Sequence, residues 1–147
     1  PLVLVDGRGL PVVTVCTAGQ DGDSPMLLPL LEQLRVGRRT RPDAVLGDKA
    51  YSSHKNREHL RARRIQAVIP EPRDQQGHRK RRGSHGGRPP KFTPEVYRGR
   101  NVVKRNYCRM KQWRGLATRY DKLAIVYRAA VVLNGIVAWL QYLTDTP

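Results

Sequence analysis

Acidic residues are the first shortage in this sequence: 12 Asp and Glu stand against 28 Lys and Arg, giving a formal net charge of +16 and a pI near 10.9. That balance far exceeds what an enzyme for a neutral small molecule needs, and its field gathers polyanions, which makes nucleic acid the leading partner. An anionic membrane surface would call for a helix with a basic face and apolar anchors, yet the basic residues are spread over loops and several segments. Cysteine is nearly absent. Cys16 and Cys108 are far apart in sequence and suggest neither a disulfide framework nor a zinc site, which fits a reducing cytoplasm. His54, His59, His78 and His85 lack metal-ligand spacing and read as surface residues. A long uncharged apolar run is missing too: the longest apolar stretch, Leu123 to Leu140, contains Arg128 and Asn134 and reads as a buried helix. The sequence reads as carrying no signal or transit peptide, and it shows no phosphate-cradling glycine loop and no nucleophile motif. It opens at Pro1 directly on "LVLV", which reads as the interior of a longer gene product.

What is there reads as one α/β unit, since 39% hydrophobic residues over 147 positions allow a modest core. "LVLVDGRGLPVVTV" has two β-branched runs around Asp6-Gly7-Arg8-Gly9 and predicts an antiparallel hairpin. In "DSPMLLPLLEQL", Ser24 is placed to cap a helix and Pro25 to begin it, with Leu27, Leu28, Leu31 and Leu34 on one face. Ala44 to Leu46 predicts a short strand running into Gly47-Asp48-Lys49. A helix capped by Ser52 or Ser53 follows, then a strand in "IQAVIP". Residues 71–92 are rich in Gly, Pro and Arg, are nearly free of apolar side chains, and predict a mobile basic arm. Thr93 and Pro94 then open helices spanning 94–143, broken near Gly115.

Asp48 stands at the carboxyl end of a predicted strand, where open α/β sheets place ligands, although turn-forming is the plainer use of an aspartate there. The motifs "VDGRGLPV", "GDSP", "GDKAYSS", "RRGSHGGRPP", "YRGRNVVKR" and "KQWRGLATRYDKLA", in this order, resemble the catalytic domain of bacterial insertion-sequence transposases of the DDE type, the insertion-sequence-five family. The resemblance implies an RNase H-like mixed sheet flanked by helices, and two aspartates and a glutamate holding two Mg²⁺ ions for DNA cleavage and transfer. Hard oxygen ligands suit Mg²⁺, and an ion pair about 3.5 to 4 Å apart stabilises both attacking and leaving oxygens. Asp48 matches the second aspartate, a metal ligand. The first belongs to a strand upstream of the hairpin, so the domain is expected to be truncated at its N-terminus, with a gap or an improvised pairing in its sheet. Asp6 occupies a hairpin turn and is read as structural.

The family's closing signature is Tyr, two residues, Arg, three residues, Glu, six residues, Lys. Tyr97, Arg100 and Lys111 fall at those places, and Lys104 falls where the glutamate belongs. An ammonium group has no lone pair to offer a metal, and 4 Å from a divalent ion at an effective dielectric of 20 it is repelled by roughly 8 kcal/mol. The chain is therefore expected to bind DNA without cutting or joining it. Arg100, Lys104, Arg105 and Lys111 would form a DNA-facing stripe, and Arg79, Lys80, Arg81, Arg82, Arg88 and Lys91 would meet backbone phosphates without base stacking. Tyr97 is a DNA-binding candidate that would either stack on a base or, by the plainer reading, pack, and Trp113 and Trp139 are read as packing groups. The expected partners are transposon ends and target DNA, with a second copy or a full-length transposase as protein partner. Two alternatives stay open: an active nuclease whose metal site is completed by Asp6, Glu95 or a partner subunit, and a basic nucleic-acid-binding protein with no transposase ancestry.

Overall fold

A computed structural model describes residues 1–17, 22–121 and 123–145. Lys122, inside the stretch expected to be helical, lies outside the described residues. Two small sheets form. Strands β1 (Leu2–Val5) and β2 (Pro11–Val15) pair antiparallel, with Val3 opposite Thr14 and Leu4 opposite Val13. The turn between them is locked by Asp6, whose carboxylate accepts the amide protons of Arg8 at 2.9 Å and Leu10 at 2.8 Å. Gly9 adopts a positive φ of 87° with its Cα against Val102 of a later helix, a place where a side chain would be strained. Strands β3 (Ala44–Leu46) and β4 (Gln66–Val68) pair in parallel, joined by the crossover helix α2 (His54–Ala62).

Helix α1 (Leu27–Glu32) lies between the two sheets and joins their cores. Leu27 and Leu31 pack with Val45, Leu60, Ile65 and Ile69 on the parallel side, while Leu30 and Leu34 pack with Leu2 and Val13 on the hairpin side. Two apolar neighbours require two apolar faces, so Leu30 is buried where the single-face pattern pointed to Leu28. Ser24 does not cap: it lies inside a 3-10 turn, Ser24–Met26, and its hydroxyl accepts from the buried Asn56 side chain. Ser53 caps α2 as expected, accepting from the Asn56 amide.

The segment expected to be an unstructured basic arm contains helix α3 (Arg73–Arg81) and a 3-10 turn at Gly83–Gly86. Polar contacts replace the apolar ones it lacks. Arg79 pairs with Glu71, Gln76 donates to the Glu71 carbonyl, and Gln75 exchanges hydrogen bonds with Ser52 of the domain body. The expected long helix is instead α4 (Pro94–Arg98), α5 (Asn101–Lys111) and α6 (Arg114–Thr118), and Thr93 makes no side-chain cap. At the α4–α5 junction the bonds tighten to the three-residue kind, as in Gly99 N–H to Val96 C=O and Arg100 N–H to Tyr97 C=O. Gly99 passes close to Leu46 there, with the Val96 carbonyl tight against the place a Cβ would take.

Helix α7 (Ala124–Thr144) was expected to be buried, yet only one side of it is. Val131, Asn134, Gly135 and Ala138 face inward, and Trp139 donates to the Pro11 carbonyl at 2.7 Å. Ile125, Leu133, Ile136, Leu140 and Leu143 remain exposed on the other side.

No hydrogen bond ladder joins the hairpin to the parallel pair. Among the described residues β1 and β3 each have one partner strand, and between them is an apolar cavity of about 460 Å³, bounded by Val3, Leu4 and Val5 on one side and Ala44, Val45 and Leu46 on the other. The described strands therefore form two separate two-stranded sheets that do not pair directly with each other.

Candidate functional site

Asp48 follows β3 by two residues and starts the 3-10 turn Lys49–Tyr51, where its Oδ1 accepts the Ala50 amide proton at 2.9 Å. The turn-forming use of this aspartate is thus real. Its second oxygen, Oδ2, accepts from Arg100 at 3.2 Å. Both side chains are partly open to water, so this pair is worth about 1 kcal/mol at most. Arg100 reaches Asp48 because the tightened α4–α5 junction turns it toward the end of β3. Tyr97 turns to the Phe92 ring, with centroids 5.3 Å apart.

Beside Asp48 is a cavity of about 200 Å³, whose walls include Asp23, Tyr51, Arg100, Val103 and Tyr107. Burial pushes the Tyr51 phenol well above its ordinary value, and the charges of Asp23 and Asp48 push it further. Tyr107 is raised as well, by burial first and then by Asp23, and its hydroxyl donates to the Pro1 carbonyl at 2.8 Å. Both phenols are thereby held in their neutral form, and that of Tyr107 is a hydrogen-bond donor. Asp23 was not singled out from the sequence. Its only signal was membership of the "GDSP" motif, and strand position gave no reason to look there.

Lys104, one turn after Arg100 on α5, is exposed and forms no part of this cavity wall; Val103 and Tyr107 take that role. Arg105 and Lys111 are also exposed on α5. Glu95 lies exposed in the first turn of α4, outside the cavity, and Asp6 is committed to its hairpin. Among the described residues no group of three or more His, Cys, Asp or Glu side chains converges as metal ligands. A two-metal centre needs several carboxylate oxygens per pair of ions. Here two acids among the described residues line one cavity, and one of them already holds a guanidinium, so the described residues do not fit the Mg²⁺ pair.

The basic residues of the segment 71–92 are gathered elsewhere. Lys80, Arg81 and Arg82 are exposed near the end of α3, with Arg81 also 2.9 Å from the His78 ring, while Arg79 is engaged with Glu71.

Over 144 residues the chain is 28% identical to a protein of Burkholderia cepacia named as the transposase for insertion sequence element IS402, covering 93% of this chain and 61% of that protein. The chain thus spans about three fifths of the length of the curated relative it matches. No solved structure matches it. The profile of the transposase DDE domain matches residues 1–139, which include the hairpin, the Asp48 turn, α5 and most of α7. On that match the chain belongs to the transposase DDE domain family.

Proposed function

We propose that this chain is a DNA-holding portion of an RNase H-like DDE transposase that lacks the means to cut or join DNA by itself. The observation that carries this reading is the state of Asp48: its free oxygen is held by Arg100, and the helix that should bring a third acid brings Lys104. One Asp-to-Arg pair at a partly exposed site is easily exchanged, so within this observation Lys104 at the place of an acid supports the reading more than the pair does. The apolar cavity between β1 and β3 supports the truncation, because both bordering strands offer an unpaired edge to it. A further extended segment, apolar on both faces as central strands are, would join the two halves into one sheet and bring its own acid toward Asp48. The charge of +16 supplies the remaining competence, phosphate binding.

Fluorescence anisotropy with duplex DNA, run beside a plasmid-nicking assay in Mg²⁺ or Mn²⁺, tests the proposal. Salt-sensitive binding without nicking is expected. Two Mn²⁺ ions bound beside Asp48 in crystals of this chain, or metal-dependent nicking, would overturn it. Lys104→Glu together with an upstream strand carrying an aspartate is expected to restore metal-dependent strand transfer, whereas Lys104→Glu alone should not.

A further inference from the structure

A dense group of cationic side chains lies away from Asp48. Helices α2 and α3, with the loop after the 3-10 turn at Gly83–Gly86, enclose a cleft of about 500 Å³. Five guanidinium groups line it: Arg57 and Arg61 from α2, Arg79 and Arg82 from α3 and its end, and Arg88 from the loop. Only Glu58 and Glu71 oppose them on these walls. Glu71 is occupied by Arg79, and Glu58 is 3.7 Å from the His54 ring. The cleft is cationic in excess.

Arg57 is fixed in place, which distinguishes this arrangement from a solvated charge run. Its Nη2 donates to Ser52 Oγ and to the Ile69 carbonyl, both at 2.8 Å, and burial lowers its pKa while Glu71 partly offsets that. Arg61, Arg82 and Arg88 are exposed at the rim, and their side chains make no hydrogen bond or ion pair among the described residues. Ordered and free guanidinium groups together suit a run of phosphates: the fixed ones set register, and the free ones adapt to neighbouring groups. Most of the side chains that line the cleft carry charged or polar heads, five of them guanidinium groups, which suits an anion better than a neutral ligand.

We propose that this cleft binds the phosphodiester backbone of DNA, as a contact region separate from α5 and independent of the Asp48 cavity. The inference rests on the DNA-binding reading and adds where the backbone lies. Arg57 and Arg61 are its new members, since α2 read from sequence as an ordinary crossover helix.

The test measures duplex affinity from 50 to 200 mM salt for the chain as it stands and for two triple variants that remove equal charge. One is Arg61→Ala/Arg82→Ala/Arg88→Ala, at the cleft. The other is Arg38→Ala/Arg114→Ala/Arg128→Ala, at exposed arginines that do not line it. Circular dichroism checks that both remain folded. The cleft variant is expected to lose roughly tenfold in affinity and to lower the log–log salt slope by about 2 to 3, while the control changes far less. Equal losses in both variants would show a general field effect and overturn the cleft. Tight, saturable binding of inorganic phosphate with DNA affinity untouched by the cleft variant would also overturn it, in favour of a small-anion site. If the unaltered chain fails to bind DNA at 50 mM salt, the DNA reading itself falls, an outcome distinct from either of these.

Discussion

Asp48 shows how one residue can serve geometry and chemistry together. Its Oδ1 shapes the turn after β3 while its Oδ2 meets Arg100, so replacing Arg100 by alanine should alter little in stability, within about 1 kcal/mol by urea denaturation. The two phenols in the same cavity give a pH signature. Both are raised in the folded chain by burial above the ordinary value near 10, so the folded state holds their protons more tightly than the unfolded state does. Their contribution is complete below about pH 10 and is lost as the pH rises further. Tyr51→Phe should therefore flatten the fall in stability above about pH 10, as read from urea midpoints across that range. At this scale the sequence was legible wherever a residue's role was local. Asp6 in "DGRG" and Ser53 before "HKN" act within a few positions of themselves, and both were readable. Asp23 and the Arg100–Asp48 contact depend on segments 25 and 52 positions apart meeting in space, and no spacing rule announces such meetings.

Elements show a different division. Leu31 is wholly buried in α1, the helix that joins the two small cores, and Leu31→Ala should cost about 2 to 5 kcal/mol, measured by chemical denaturation. Helix α3 is the opposite kind of element, held by polar contacts with no buried side chain of its own. Glu71→Gln, which removes the charge that Arg79 pairs with, should speed amide exchange across 73–81 and leave the protection of α1 unchanged, an effect seen by hydrogen–deuterium exchange. Apolar patterning found β1 to β4, α1 and α7 because those elements bury side chains, and a serine cap marked α2. It missed α3 because that helix is anchored through Gln75, Gln76 and Arg79, whose polarity looks like a loop when read along the chain. The split of the long helix into α4 and α5 was also hidden, since Gly99 faces Leu46 only after folding.

Across the whole molecule, charge and exposed apolar surface are the two large unbalanced quantities. The charge predicts DNA affinity that falls steeply with salt. The apolar side of α7 is wider than isolated surface residues would make it, with Ile125 77% and Leu143 62% exposed at its ends. Leu133→Lys with Ile136→Lys should raise the solubility limit while leaving the denaturation midpoint nearly unchanged, because neither side chain is buried. Composition alone signalled the charge. It concealed the exposed side of α7, because a helix hydrophobic all round is ordinarily covered all round. The opening between β1 and β3 has a kinetic meaning as well. Two bare backbone edges facing across greasy walls form a template for stray strands, and neighbouring chains loosened by heat carry plenty of them. Melting and cooling should therefore trace different curves, with hysteresis that widens as the protein is concentrated.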